Sequence, residues 1–590
     1  MDPIEVYLDQ LQQNLQTGQA TEHTHRPALQ NLIQSLLPTV QVFNEPRHIE
    51  CGAPDYVIQR GAEPLGYIEA KDIGENLDKE QKSDQFKRYR DSLNNLILTD
   101  YLEFRWFLEG EYKADMTVRL AEVDNTGQLK RFPENFPALQ TLLETFGEAQ
   151  AITLRGPDEL AATMAKIARL LRDLIVRAYR QEGPNGKLHV QLESFRKVLL
   201  DYLMPEPFAD MYAQTICYGL FAAKCSAMGQ PFSRIYAGYY VPKTNPFLRN
   251  LFNQIAGVEL DDRLVWIVEQ LVAVLNRTDI AAILANFGKR SRQEDPVVHF
   301  YETFLAQYDP VLREMRGVYY TPEPVVSYIV RSLDGVLRRS FGLKDGLADS
   351  SRLTPTVHKV QILDPATGTG TFLYAVFARI FEQFHHNKGL WSGYVSQHLL
   401  PRVHGFELLM APYTVAHMKL GLQLQELGYD FHSDERLRVF LTNTLDQPHH
   451  SEMTLLAKWL SDEANAASAV KQDMPVMVIL GNPPYSGHSA NKGDWIDNLL
   501  RGVASGHNGE QPIANYFQVD GQPLKERNPK WLNDDYVKFI RFAHWRDLLP
   551  RLAWEMRSSS LVLAWEDDKH REHASHRGEG LDLLFASLRV

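Results

Sequence analysis

Four consecutive residues, Asn482-Pro483-Pro484-Tyr485, carry the types needed to act on an amino or amide nitrogen. The ring amino group of adenine is a poor nucleophile, because its lone pair is delocalised into the ring. A site that alkylates it needs acceptors aimed at the N–H bonds. The Asn482 side-chain carbonyl and the Pro483 main-chain carbonyl supply two. Two prolines in a row stiffen the turn, so little entropy is lost in holding that geometry. Tyr485 adds a ring on which a base turned out of a duplex can stack. Read alone, the four residues are also a proline turn after a buried strand; a second motif upstream decides between the two.

That motif is Asp364-Pro365-Ala366-Thr367-Gly368-Thr369-Gly370, between an apolar run, Val360–Leu363, and a helical pattern, Phe372–Phe381. Glycines let the backbone turn sharply and approach a ligand closely. Doubly wound sheets bind cofactors outside the carboxyl ends of such strands. A carboxylate at Asp364 suits the cationic amino-acid end of S-adenosylmethionine better than a pyrophosphate, and no lysine follows to make a P-loop. One strand later, Val403-His404-Gly405-Phe406-Glu407 places an acid that can accept two ribose hydroxyls.

A different chemistry is written near the start of the chain. Asp55 and Glu69 fall at the ends of two neighbouring predicted strands, Tyr56–Gln59 and Gly66–Ala70. Two carboxylates there can meet one Mg²⁺, which prefers hard oxygen ligands. Lys71 follows Glu69 on the same strand face and can orient or polarise an attacking water. Gln85 and Tyr89 share one face of a predicted helix, Lys82–Leu96.

The elements that must position these groups divide the 590 residues into several domains. Residues 1–150 read as mixed α/β, with a helix through Pro27–Leu37 and a strand at Phe104–Leu108. Residues 151–310 read as a helical connector, on the periodicity of Leu160–Tyr179, Glu193–Leu203, Ala209–Met228 and Leu264–Asn276. Strand and helix alternate again over 311–550, and 551–590 lacks that rhythm. A net charge of -12 gives no global basic footprint for a nucleic-acid partner, so any such binding must rest on local grooves. Three cysteines, Cys51, Cys217 and Cys225, have no metal spacing and point to a reducing, cytoplasmic setting. The polar start and the lack of long apolar runs argue against a signal peptide or membrane partner. His385-His386 and His449-His450 read as solvated pairs.

With these motifs in place, residues 317–545 resemble the amino-methyltransferase family of restriction-modification systems. Gly317-Val318-Tyr319-Tyr320-Thr321-Pro322 resembles the segment that closes over the methionine end of the cofactor. The resemblance implies cofactor contacts from Tyr320, Thr321, Pro322, Asp364, Ala366, Gly368, Gly370 and Glu407, and from Asn443 near the cofactor adenine. The motif order resembles the gamma arrangement, in which a recognition domain follows the catalytic one. Trp531–Arg541 resembles a segment of the large fused, type IIG and type I-like enzymes. The N-terminal set resembles the PD-(D/E)xK nucleases in their Gln-x-x-x-Tyr variant, with Asp55 and Glu69 as Mg²⁺ ligands and Glu22 as the acid of the first helix.

The resulting fold class is α/β: a Rossmann-like methyltransferase sheet preceded by a helical connector and an α/β nuclease-like domain. The implied partner is double-stranded DNA with a flipped adenine. The resemblance fades after about Arg546, which implies a truncated end, a recognition function supplied by a separate segment, and salt-sensitive DNA binding. Two other readings compete. A protein glutamine methyltransferase also uses an Asn-Pro-Pro-Tyr turn but has no need of Asp55, Glu69 and Lys71. A truncated DNA-binding remnant needs no turnover at all.

Overall fold

The computed structural model describes the chain except for residues 1, 19, 45–52, 62, 149–153, 228, 242–244, 288–295, 310–320, 430, 432–434, 447–454, 485–488, 490, 504–514, 525–531, 549–586 and 589–590. Contacts divide it into two compact units. One comprises Met1–His189, Pro205–Ala237 and Asn253–Asn286, the other Val190–Met204, Gly238–Phe252 and Phe287–Val590. The α/β class expected from the sequence is what the chain adopts.

The first unit holds a seven-stranded sheet of β1 (Gln41–Asn44), β2 (Tyr56–Arg60), β3 (Glu63–Ala70), β4 (Asn95–Thr99), β5 (Glu103–Leu108), β6 (Glu111–Tyr112) and β7 (Val118–Arg119). The strands run β1-β2-β3-β4-β5, with β6 and β7 both pairing with β5. Only β3 and β4 pair in parallel. A small ribbon, β8 (Ala121–Val123) with β9 (Leu129–Arg131), follows. Helices Pro3–Gln16, Glu22–Leu36 and Phe136–Glu148 bury Leu8, Leu11, Leu29, Leu32, Leu142 and Phe146 in one core with Ile58, Ile68, Ile97 and Phe104 of the sheet. The predicted helix Lys82–Leu96 is shorter than expected: it spans Asp84–Ser92, and Asn95–Thr99 is a strand buried along its whole length. A strand covered on both faces is apolar throughout and loses the alternation that would mark it.

The segment expected to be a helical connector does not stand apart. Helices Pro157–Gln181, Pro205–Ser226 and Val265–Asn276 belong to the first unit. Tyr67 of β3 donates its hydroxyl to Gln270 at 2.8 Å and sets its ring edge against Trp266. A sheet needs cover on both faces, and these helices supply it for the face opposite Ile68. The stretches Val190–Met204 and Gly238–Phe252 go with the second unit.

The second unit is built on a five-stranded sheet of β10 (Ile362–Asp364), β11 (Val403–Glu407), β12 (Arg438–Leu441) and β13 (Val478–Ile479), completed by a strand at Ser587–Leu588, in the order β12-β11-β10-β13 and then 587–588. The first four are mutually parallel, and Ser587–Leu588 is antiparallel to β13. Nothing in the sequence pattern announced that last strand; the poor packing that the lost strand-helix rhythm leads one to expect from about Trp554 onward falls, up to residue 586, outside the described residues. Helices Thr371–Phe381, Met410–Glu426 and Leu455–Gln472 connect successive parallel strands. The chain winds outward from β10 to β12 and then returns to the other side of β10. That reversal creates a crevice beyond the carboxyl ends of β10 and β13, the place where open α/β sheets bind ligands.

Candidate active site

The two motifs of the second unit meet at this crevice. β10 ends at Asp364, and β13 leads through Leu480 and Gly481 into Asn482. The Leu480 amide donates to the Leu363 carbonyl at 3.0 Å, which fixes the two strand ends side by side. A Cβ on Gly481 would sit 2.6 Å from the Asp364 carboxyl oxygen, so only glycine lets the Asn482 turn pass this close.

Asp364 is fully buried. Its Oδ1 accepts the Ala366 amide at 3.1 Å, while its Oδ2 is buried with no hydrogen-bond partner among the described residues. Burial, reinforced by the Glu407 carboxylate, raises its carboxyl to about 8. A buried acceptor left in that condition fits a cationic ligand group. Gly370, at φ 81°, opens the helix Thr371–Phe381, a left-handed conformation that glycine adopts without strain. Glu407 ends β11; its Oε2 accepts the Gly368 amide and its Oε1 the Leu409 amide, both at 2.8 Å. Burial raises this carboxyl to about 7. The Leu408 amide is a third backbone donor to this carboxylate, and the acceptor capacity left over suits a hydroxyl.

Asn482 donates Nδ2 to the Thr321 hydroxyl at 3.0 Å. Its Oδ1 is buried without a partner among the described residues. Thr321 therefore sits against Asn482, just before helix Glu323–Ser340. Pro483 is buried and Pro484 partly exposed. Tyr320 and Tyr485 lie outside the described residues, as do Cys51 and the pair His449-His450. Asn443 follows β12; its Oδ1 accepts the Leu445 amide and its Nδ2 donates to Asn491 Oδ1, each at 3.0 Å.

Sequence reasoning missed Lys471. Its ammonium donates to the Asn443 carbonyl at 2.6 Å and to Thr442 Oγ1 at 3.2 Å, and lies over the Phe406 ring. Burial pulls it down to about 7. It braces the loop that carries Asn443, and its only sequence signal was a lysine on the helix face shared by Ala467 and Val470. Cys217 and Cys225 are buried free thiols. His385 and His386 are exposed.

In the first unit, four elements converge on the predicted acids. Tyr56 pairs with Ile68 across β2 and β3, which sets Asp55 opposite Glu69. Asp55 Oδ2 accepts the Ala70 amide at 2.8 Å, and Arg26 bridges Asp55 Oδ1 at 2.5 Å and Glu22 Oε1 at 2.7 Å. Glu69 Oε1 accepts Lys71 Nζ at 2.7 Å and Gln85 Nε2 at 3.2 Å, and Gln85 reaches Tyr89 at 3.5 Å. Glu69 Oε2 is buried with no partner among the described residues. Burial raises both carboxyls, and for Glu69 the Asp55 charge adds to it. Burial opposes the Lys71 ammonium, yet Glu69 beside it raises it overall. Among the described residues no group of three or more His, Cys, Asp or Glu is gathered as a ready metal site.

The second unit is a doubly wound domain whose switch point lies between β10 and β13, where open α/β sheets bind ligands. Residues 292–510 match the model of the N-6 DNA Methylase family. No curated protein matches the sequence. A chain in the cryoEM structure of a DrdV–DNA complex is 20% identical, with 100% of this chain and 56% of that chain covered and a TM-score of 0.47. A nuclease-deletion mutant of the type ISP restriction-modification enzyme LlaGI with a DNA substrate mimic is 19% identical, covering 70% and 30%, with a TM-score of 0.46. The type IIL restriction-modification enzyme MmeI in complex with DNA is 13% identical, covering 73% and 57%, with a TM-score of 0.33. The chain thus spans little more than half the length of the DrdV chain. Among the described residues no helix is long and apolar enough to cross a membrane.

The raised Asp364 carboxyl has a measurable consequence. A cationic ligand seated against Asp364 pairs only with its ionised form, so if S-adenosylmethionine binds there its uptake at pH 7 should release a proton. Affinity should rise with pH toward about 8, by up to about tenfold per unit below that value. Calorimetry in two buffers of different ionisation enthalpy reads the released proton, and Asp364→Asn should remove most of it.

Proposed function

We propose that this chain is an S-adenosylmethionine-dependent DNA adenine-N6 methyltransferase of a restriction-modification system, fused to an Mg²⁺-dependent DNA endonuclease. The observation that carries the reading is the side-by-side placement of two orphaned buried acceptors, Asp364 Oδ2 and Asn482 Oδ1, at the ends of adjacent strands. Asp364 is suited to a cationic amino-acid end, Glu407 to a ribose, and Asn443 to an adenine edge. Thr321 and Pro322 flank the same end. Ala366, Gly368 and Gly370 keep the turn low enough for close approach. The cofactor supplies an electrophilic methyl group.

Asn482 Oδ1 and the Pro483 carbonyl accept the two N–H bonds of the target amino group. That would draw its lone pair out of the ring toward the methyl group; as the N–C bond formed, the methyl's bond to sulfur would break to leave a neutral thioether, and the nitrogen would pass one proton to solvent. Tyr485 supplies the stacking ring that holds an adenine flipped out of double-stranded DNA, and Pro484 keeps the turn rigid. Purified chain, radiolabelled S-adenosylmethionine and DNA test the reading. N6-methyladenine is the expected product; label on glutamine amides of protein, with none on DNA, would overturn it.

The nuclease half rests on the convergence of Glu22, Asp55, Glu69, Lys71 and Gln85. Mg²⁺ is held elsewhere by one or two carboxylates with the remainder water and phosphate, so the pair Asp55 and Glu69 is enough. Glu69 Oε2 is the free acceptor that such an ion needs. The bound ion supplies charge to a phosphate under attack, and Lys71 orients the water.

A test that does not depend on cutting follows from the raised carboxyls. Acids raised in the folded state favour folding at low pH, and that contribution is lost as pH climbs past the ordinary carboxylate range. A divalent cation reverses the loss. Mg²⁺ should therefore raise the melting temperature by about 3 °C at pH 8 and by much less at pH 5. Glu69→Gln should remove the difference.

A further inference from the structure

The segment 531–541 has a job that the methyl-transfer reading leaves open. Helix Asp535–Leu548 presents two faces. Phe542, Ala543 and Trp545 pack into the core with Leu363, Phe406 and Phe440. The other face meets the stretch that follows Asn482. Asp535 accepts the Ser489 hydroxyl and, on Oδ2, the Asn491 Nδ2 at 3.0 Å. Lys538, buried, donates Nζ to Ser489 Oγ at 2.7 Å and to the Asn491 carbonyl. The Asn491 amide donates to Ser489 Oγ at 3.0 Å. The Ser489 hydroxyl has Asp535 and, at 3.2 Å, the Asn491 carbonyl as acceptors for its one proton, and both its lone pairs are occupied.

Its directionality matters. An ionised carboxylate only accepts, so Asn491 must turn Nδ2 toward Asp535 and Oδ1 away. That Oδ1 meets Asn443, which must then answer with its own Nδ2. The Leu445 amide, donating to Asn443 Oδ1, agrees with the same orientation. Asn443 is left with one N–H and one carbonyl lone pair, both in fixed directions. An asparagine amide held that way complements adenine, whose edge pairs an amino donor with a ring-nitrogen acceptor.

We propose that Asp535, anchored with Lys538, is a specificity-determining positioning residue that orients the Asn443 amide through Asn491 and so selects the adenine ring of the cofactor. The inference rests on the reading of Asn443 as the residue beside that ring. Loss of the carboxylate frees Asn491 to rotate end for end and leaves the Asn443 amide held in its orientation by the Leu445 amide alone. Recognition of the amino group then weakens while the rest of the pocket is kept.

The test compares two probes on the full chain by calorimetry: S-adenosylhomocysteine, and its inosine counterpart in which a keto oxygen replaces the ring amino group. The wild-type chain should prefer the adenosine probe by about tenfold or more. Asp535→Asn should reduce that preference to about threefold or less, and Asp535→Asn with Asn443→Ala should lose no more than Asn443→Ala alone. A brace that only stabilised the fold would lower the melting temperature and leave the preference in place. Should Asp535→Asn not fold, Asn491→Ala breaks the relay one link further on and gives the same reading. An unchanged preference in the folded variant overturns the relay alone. A wild-type chain that binds neither probe overturns the cofactor site and the relay with it.

Discussion

Asn482→Ala is expected to lower methyl transfer to DNA by about 10²–10³-fold or more, the cost of removing one aimed electrostatic contact at a reacting centre. Affinity for S-adenosylmethionine should change by about fivefold at most. The asymmetry follows from where the two halves of the side chain point. Oδ1, buried and unpartnered among the described residues, is the acceptor assigned to the target amino group. Nδ2 holds Thr321, which begins the segment beside the cofactor end. Losing that neutral hydrogen bond costs about 1 kcal/mol, hence the small allowance on affinity. Asp364→Ala should behave in the opposite sense and weaken cofactor binding first, because its carboxylate is the group assigned to the cation and not to the base. A radiolabel transfer assay beside equilibrium binding separates the two. If Asn482→Ala folded normally and lost cofactor binding as heavily as Asp364→Ala, the role given to Asn482 would be wrong.

What could be read in the sequence was chemistry confined to one turn. Asp364 with its glycines and Asn482 with its prolines are short stretches whose residue types have few other uses, and both fall at strand ends as expected. Asp55, Glu69 and Lys71 could be placed because two adjacent strands and one short turn hold them together. Contacts made across long separations could not be read. Lys471 braces a loop about 28 positions away, and Asp535 finds Ser489 and Asn491 from 46 and 44 positions away. The helix read over Lys82–Leu96 takes in the first two residues of the strand Asn95–Thr99, because a strand buried on both faces shows no alternation. The division into units was hidden for a related reason. The chain leaves the first unit at Val190, returns at Pro205, and crosses again at Gly238 and Asn253, while helical periodicity continues throughout. Periodicity reports that a helix has an apolar face but not which core covers it.

In the first unit, Asp55→Asn and Glu69→Gln are each expected to reduce Mg²⁺-dependent DNA cutting by about 10³-fold or more, the scale of a lost metal contribution of several kcal/mol. Methyl transfer should stay at the wild-type rate, since the residues that carry it belong to the other compact unit. Stability tells a functional carboxylate from a structural one here. Glu69 is buried with one oxygen unpartnered among the described residues, and burial holds its carboxyl well above the ordinary range. At pH 8 the folded chain bears the cost of that charge, which the neutral amide of Glu69→Gln removes. The variant should therefore melt higher than the wild type at pH 8 without Mg²⁺, and cut no DNA with it. Asp55→Asn should gain less: its Oδ1 can still accept the Ala70 amide, but Arg26 loses one of the two carboxylates that it bridges. An acid kept for the fold would show the reverse, a lower melting temperature with cutting reduced only in proportion. If Glu69→Gln were destabilised and still cut at the wild-type rate, Asp55 and Glu69 would be a buried structural pair and the endonuclease assignment would fall.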